Sequence, residues 1–215
     1  MPRHPDPDLE QHILDAAVRL WARGGQHALT IRALARESGT TTPTLYERYR
    51  DREAILRAVR AKAREQLFSA LRTSESLAEA ARRYLKFAQT RPHAFSLLFD
   101  GVGAPPSLHE PWPTFNLLRS LLARRLGGTP QDYNRLMLAL WAMLHGAAEL
   151  ITRGKMKGAL RTQMEHACLD AIEDCLRKFE KGGTRLRNTG PAWPKSLVLG
   201  EGKAARKSRR AKAVN

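Results

Sequence analysis

Apolar residues recur at three- and four-residue spacing along almost the whole chain, and no strictly alternating run long enough for a strand precedes the C-terminal tail. Helices that each bury one stripe produce this pattern, so an all-helical chain is predicted. Leu9, Ile13, Ala16, Ala17, Leu20 and Trp21 form the first stripe, which Gly24-Gly25 ends because glycine takes the left-handed conformation that closes a helix. The first helix is therefore placed over residues 8–23. Thr30 caps a short second element with Ile31, Leu34 and Ala35 facing inward, stopped at Ser38-Gly39. After a turn, Thr41 caps a third element with Pro43 in its first turn, where the missing N–H costs little. Asp51 then caps a longer helix carrying Ile55, Leu56 and Val59.

Later boundaries are as well marked. Ser76 and Glu79 have the spacing of a capping box ahead of a helix through Leu85. Pro92 suits the first turn of a short helix ending near Asp100, and the following GVGAPPSLHEP is a loop by composition. A helix over 113–126 stops at Gly127-Gly128. Thr129-Pro130 reads as a cap and first-turn proline opening a helix that runs to Ile151, and a last helix spans 162–179. From Lys181 onward glycine, proline, lysine and arginine dominate, apart from the short run Leu197–Leu199. Such a segment cannot bury enough apolar surface to order itself, and a disordered basic tail is expected.

Charge narrows the class of partner. The 215 residues hold 37 lysines and arginines against 21 acidic residues, a net +16. Residues 181–215 contain ten basic groups and a single acid, Glu201, whereas residues 1–50 contain seven arginines and six acids. The excess points to a polyanion, nucleic acid before membrane. Cys168 and Cys175 are too few for a disulfide framework. Seven apart on one helix, they stand about 10 Å from each other, too far to bond. They read as small buried hydrophobes, with a cross-dimer bond or redox sensing as the alternative. MPRHPDPDLE lacks the apolar core of a secretory signal. The longest apolar stretch, Leu136 to Ile151, contains His145 and Glu149 and falls short of the roughly 20 residues of a membrane span. No glycine-rich phosphate loop, nucleophile elbow or Cys-x-x-Cys spacing occurs. A cytoplasmic protein, nucleoid-associated when bound to DNA, is expected, with no enzymatic activity, cofactor, metal or membrane partner.

The second and third elements, residues 30–37 and 42–48, are joined by Ser38-Gly39-Thr40-Thr41. This is the spacing of a helix-turn-helix, which sets its second helix in the DNA major groove, and equally of an ordinary pair of packed helices. The longer stretch ILDAAVRLWARGGQHALTIRALARESGTTTPTLYERYRDREAIL resembles the N-terminal domain of TetR-type (tetracycline-repressor-like) transcriptional regulators. That family's pattern is an apolar first helix ending in glycine, a Thr-opened helix, an Ala-Gly turn, a Thr-Leu-Tyr recognition helix, an aromatic, and a Lys-Glu pair opening the fourth helix. The resemblance covers about residues 9 to 60, departing at Trp21, Ser38, Thr40, Tyr49 and Arg52 without loss of a needed chemical group. It implies a helix-turn-helix domain over 1–56 and a helical effector-binding and dimerisation domain over 57–180, ahead of the tail that composition marks over 181–215. It further implies a homodimer on double-stranded DNA at a palindromic operator, acting as a repressor released by an unidentified small-molecule effector. A non-specific architectural DNA-binding protein dominated by its tail is the alternative.

Residue roles follow from chemistry and resemblance together. Thr30 opens a helix, where hydroxyl, backbone N–H groups and dipole favour a phosphate, though a plain cap is as good a reading. Thr41, Thr42 and Thr44 line the start of the recognition helix, with Pro43 among them. Threonine bonds phosphate or base edges and its methyl touches that of thymine. With no Arg, Asn or Gln in that first turn, specificity leans on methyl contacts, DNA shape, and Arg48 and Arg50 nearby. Arg32 is taken with the same surface. The resemblance makes Tyr46 and Arg52 phosphate contacts; the alternatives are a packing tyrosine and a solvated charge.

In the C-terminal half, wide apolar stripes require more than one neighbour. Leu140, Leu144, Ala148, Ile151, Cys168, Ala171, Ile172 and Cys175 are the expected dimer interface, with an intrachain bundle as the alternative. Trp141, His145 and Gly146 form an arrangement seen in many TetR-type members. Phe95, Phe99, Trp112, Phe115, Tyr133 and Trp141 are the expected lining of an effector pocket, although aromatics at helical spacing serve equally as core.

Overall fold

The computed structural model describes residues 7–99, 113–154 and 156–182. Among these residues every regular element is helical: α1 Pro7–Ala28, α2 Ile31–Glu37, α3 Thr42–Arg48, α4 Arg52–Leu71, α5 Leu77–Thr90, α6 Pro92–Phe99, α7 Pro113–Leu126, α8 Asn134–Thr152 and α9 Gly158–Glu180, with a 3₁₀ turn at Pro130–Tyr133. The loop after α6, with Trp112 and His109, and the tail from residue 183 lie outside the described residues, as does Asp100.

Predicted boundaries shift in three places and a cap differs in a fourth, each with local detail. Gly24 and Gly25 do leave helical geometry, Gly25 at φ 57°, but the chain resumes one further turn to Ala28. Ser76 Oγ accepts from the Glu79 N–H at 3.2 Å, while the Glu79 carboxylate reaches back to the Glu75 N–H at 2.8 Å, one residue before the one a capping box would use. Pro130 opens a 3₁₀ turn, closed by Asp132 accepting from the N–H and hydroxyl of Thr129 at 2.8 and 2.9 Å, so that α8 starts at Asn134. α9 starts at Gly158, ahead of the expected residue 162; Lys157 before it makes no side-chain cap, and Leu160 in its first turn is exposed.

Two compact units divide the chain. One takes the sequence up to Ala70 and resumes at Lys86 through α6; the other takes Leu71–Leu85 and everything from α7 onward. The expected domain boundary at residue 56 falls inside α4.

In the first unit, Ile13, Ala16, Ala17 and Leu20 of α1 meet Leu34 of α2, Leu45 of α3, Ile55, Leu56 and Val59 of α4, and Leu97 of α6. The Trp21 indole donates to Ser96 Oγ at 3.1 Å, tying α1 to α6. Outside this core, Arg19 and Arg23 of α1 converge on the Glu37 carboxylate at 3.0 and 2.5 Å and hold it below the usual carboxylate range.

In the second unit α8 runs beside α9, and the turn before α8 packs on α7. Tyr133 donates to the Gly127 carbonyl, and its ring packs against that of Phe179 with centres 5.8 Å apart. Arg125 of α7 grips Glu173 with two bonds of 2.7 Å and Glu180 with one of 2.8 Å, fixing α7 along α9.

Candidate nucleic-acid interface

The α2–α3 pair is set by its turn. Ser38 Oγ donates to the Leu34 carbonyl at 2.7 Å, and the Thr40 N–H reaches back to the Ala35 carbonyl at 2.9 Å across Gly39 at φ 68°. That is the left-handed closure glycine adopts without strain, and it redirects the chain into α3. Thr41 Oγ1 accepts from the Thr44 N–H at 3.3 Å and pairs with Thr44 Oγ1 at 2.9 Å. Thr30 Oγ1 caps α2 in the same way, accepting from the Ala33 N–H at 3.1 Å.

Only Leu45 of α3 is buried, anchoring the helix in the head, while Thr41, Pro43, Tyr46 and Glu47 stand exposed and Thr42, Thr44 and Arg48 partly so. Tyr46 is 53% exposed, which makes it a surface tyrosine rather than a packing one. Arg32 and Arg50 are exposed as well. Glu37 at the end of α2 is already paired with two arginines, so its repulsion of an approaching phosphate is offset. Tyr49, at the end of α3, is buried and its hydroxyl has no hydrogen-bond partner; burial pushes its acidity below that of an ordinary tyrosine.

Arg52 is placed otherwise than a freely exposed cation. Its Nε donates to the Leu29 carbonyl at 2.7 Å and its Nη2 to the Gln26 carbonyl at 2.5 Å, with Nη1 3.4 Å from Glu53. The guanidinium thereby holds the segment leading to the Thr30 cap, and a phosphate would meet only what these bonds leave.

The residues expected at a dimer interface mostly serve the chain itself. Leu140, Leu144, Ala148, Ile151, Cys168 and Ile172 are buried within the single chain, Cys175 partly so, and of the set only Ala171 is exposed. What α8 and α9 leave open is the neighbouring face: Ala142, Met143 and Gly146 on α8, Leu160, Ala167 and Ala171 on α9. A Cβ at Gly146 would meet nothing within 4 Å.

The aromatic set is divided between units. Phe95 and Phe99, with ring centres 4.9 Å apart, belong to the first, whereas Phe115, Tyr133 and Trp141 belong to the second and Trp112 lies outside the described residues. Trp141 stacks on His145 at 5.4 Å, and His145 Nδ1 lies 3.1 Å from the hydroxyl of Tyr84, a buried residue of α5. Burial pushes the Tyr84 hydroxyl upward and the His145 imidazole downward in pKa. Sequence reasoning missed Tyr84 and also Arg119, a buried arginine of α7. The signal for Arg119 was present: with Phe115, Leu118 and Leu122 it occupies a position of the inward stripe where an apolar residue belongs.

Among the described residues no helix is long and apolar enough to cross a membrane, and no group of three or more His, Cys, Asp or Glu is placed to hold a metal ion.

Comparison with known proteins agrees with this arrangement. Residues 13–59 match the family model of bacterial regulatory proteins of the tetR family, and residues 77–176 match that of the tetracyclin repressor-like C-terminal domain. None of the curated proteins compared with the chain matches it. Among solved structures, a TetR-like transcriptional regulator from Rhodococcus sp. RHA1 superposes with TM-score 0.58 at 20% identity, over 84% of this chain and all of the other. A TetR-family regulator from Streptomyces coelicolor gives 0.60 at 18%, over 79% and 98% of the two chains. A TetR variant from Acinetobacter baumannii AYE, in complex with minocycline, gives 0.57 at 17%, over 84% and 99%. At such identities the structural likeness speaks for the fold, and the two family models, which together take in most of the chain, carry the assignment. The chain belongs to the TetR family and is a DNA-binding transcriptional regulator with an N-terminal helix-turn-helix and a helical C-terminal domain.

Proposed function

We propose that the protein is a repressor that binds a palindromic operator as a homodimer and is released by a small molecule. The observation that carries the reading is α3: one buried leucine seats it, and Thr42, Thr44, Tyr46 and the flanking arginines are left to meet DNA. Thr30 and Thr41 use their oxygens as caps, which leaves the hydroxyl proton of Thr30 to donate to a phosphate. Tyr46, Arg32, Arg48 and Arg50 supply further phosphate and base-edge contacts.

A single head with so few base-reading groups binds weakly, whereas a two-fold dimer reads two half-sites. The open face of Ala142, Met143, Gly146, Leu160, Ala167 and Ala171 supports such a dimer. Glycine inside a helix costs about 1 kcal/mol relative to alanine. Among the described residues nothing packs against Gly146 closely enough to require a glycine, and close approach of a second copy supplies a reason. Minocycline in the complex of one structural neighbour supports response to a ligand, without naming this chain's own.

Selection from random duplexes tests the reading. The expected outcome is an inverted repeat bound by two chains, with Ala142→Glu lowering the molecular mass in light scattering to that of one chain. Enrichment of no common sequence, or a monomer in the unaltered protein, would overturn it.

A further inference from the structure

Arg119 is 4% exposed, yet no carboxylate of the described residues pairs with it. Its Nη1 donates to Asn134 Oδ1 and its Nη2 to Asn116 Oδ1, both at 2.6 Å, and Nε is buried with no partner. The Phe115 ring lies 5.2 Å from the guanidinium carbon. Two amide oxygens and a ring face satisfy geometry but carry no net charge, so nothing among the described residues compensates the positive charge. A guanidinium has five N–H donors, and a carboxylate takes two of them in parallel.

We propose that Arg119 is the anion-recognition group of the C-terminal domain and that the effector is a monoanionic carboxylate with an apolar body. This rests on the ligand-responsive reading above and specifies its chemistry. One negative charge neutralises the single cation, whereas a phosphate dianion would leave an excess in the same dry surroundings. The buried Nε–H supplies one of the two parallel bonds, and Phe115 with the apolar stripe of Leu118 and Leu122 suits a hydrocarbon body. Burial disfavours the charged form of this arginine, which a bound anion would offset.

The test uses the full chain with hexanoate and benzoate as probes, and hexanamide and benzamide as uncharged controls, followed by thermal melting and calorimetry. At least one carboxylate is expected to raise Tm in a saturable way while its amide does not. Arg119→Met should abolish the rise and, without ligand, melt at or above the unaltered protein, because a buried unpaired charge has been removed. Arg119→Lys, which keeps the charge but loses the fork, should weaken binding about 10- to 100-fold, the range of one or two charge-assisted hydrogen bonds. Binding of neither carboxylate, equal binding of the amides, retained binding in Arg119→Met, or a large fall in that variant's ligand-free Tm would overturn the proposal. The two readings separate at the operator: a carboxylate that binds through Arg119 but leaves operator affinity unchanged supports the anion site and contradicts its role in release.

Discussion

Two tyrosines three residues apart show how differently the same side chain serves this protein. Tyr46 projects from α3 into solvent, and Tyr49 ends the helix inside the head with an unpartnered hydroxyl. Tyr46→Ala should therefore change stability by no more than about 0.5 kcal/mol, as for a surface substitution, while weakening DNA binding measured by fluorescence anisotropy. Tyr49→Phe should leave the denaturation midpoint unchanged or raised, since a buried hydroxyl without a partner is unfavourable. A clear loss of stability in Tyr49→Phe would mean that its hydroxyl is bonded. The difference was legible in the sequence: the resemblance puts Tyr46 against phosphate, and Tyr49 reads most simply as core. Arg52 was legible as a phosphate contact by resemblance or as a solvated charge; its engagement with Leu29 and Gln26 depends on a chain reversal that no local spacing encodes.

His145 carries a pH dependence of calculable sign. It is half-buried, with Tyr84 and Trp141 on it, Glu149 on its own helix and Arg153 at that helix's end, and burial holds its pKa below the 6.5 of a free imidazole. As pH falls below 6.5 the unfolded chain takes the proton first, so stability is present above that value and is lost as pH falls toward the folded pKa. Urea midpoints compared between pH 7.5 and 5.5 should show this fall, flattened in His145→Gln. An equal fall in the variant would place the dependence elsewhere.

At the scale of elements, hydrophobic periodicity located every helix and failed where packing rather than pattern decides. The first turn of α9 escaped because the residue before it, Lys157, makes no side-chain cap, and the 3₁₀ turn before α8 escaped because Thr129-Pro130 opens either kind of helix while the Asp132 N–H bonds back to the Thr129 carbonyl at 3.1 Å. Apolar stripes on α8 and α9 were read correctly as stripes, but their buried members pack within the chain and the open face lies beside them. Sequence alone cannot divide a wide stripe between two neighbours. The turn between α2 and α3 is the most demanding local geometry. A side chain at Gly39 would meet nothing within 4 Å, so Gly39→Ala acts through φ alone and should cost about 1–2 kcal/mol. Because it misdirects α3, it should also weaken DNA binding. Urea denaturation with anisotropy checks both, and a neutral effect on stability would mean that the left-handed turn is not required.

For the whole molecule, net charge indicated the partner without locating the surface. Much of the +16 lies in the last 35 residues, while the first 50 are nearly balanced and contain α3. The tail is therefore expected to add affinity without sequence preference. Removal of residues 184–215 should flatten the salt dependence of log K by about 0.9 for each phosphate the tail neutralises, leaving operator preference intact. An unchanged slope would show that the tail does not touch DNA. The central claim is specific recognition by the α3 surface, and competition binding at physiological salt measures it most directly. The full chain should prefer its selected inverted repeat over a scrambled duplex of equal length by about 10³-fold or more, a typical ratio for specific regulators. Equal affinity for the two duplexes would contradict it.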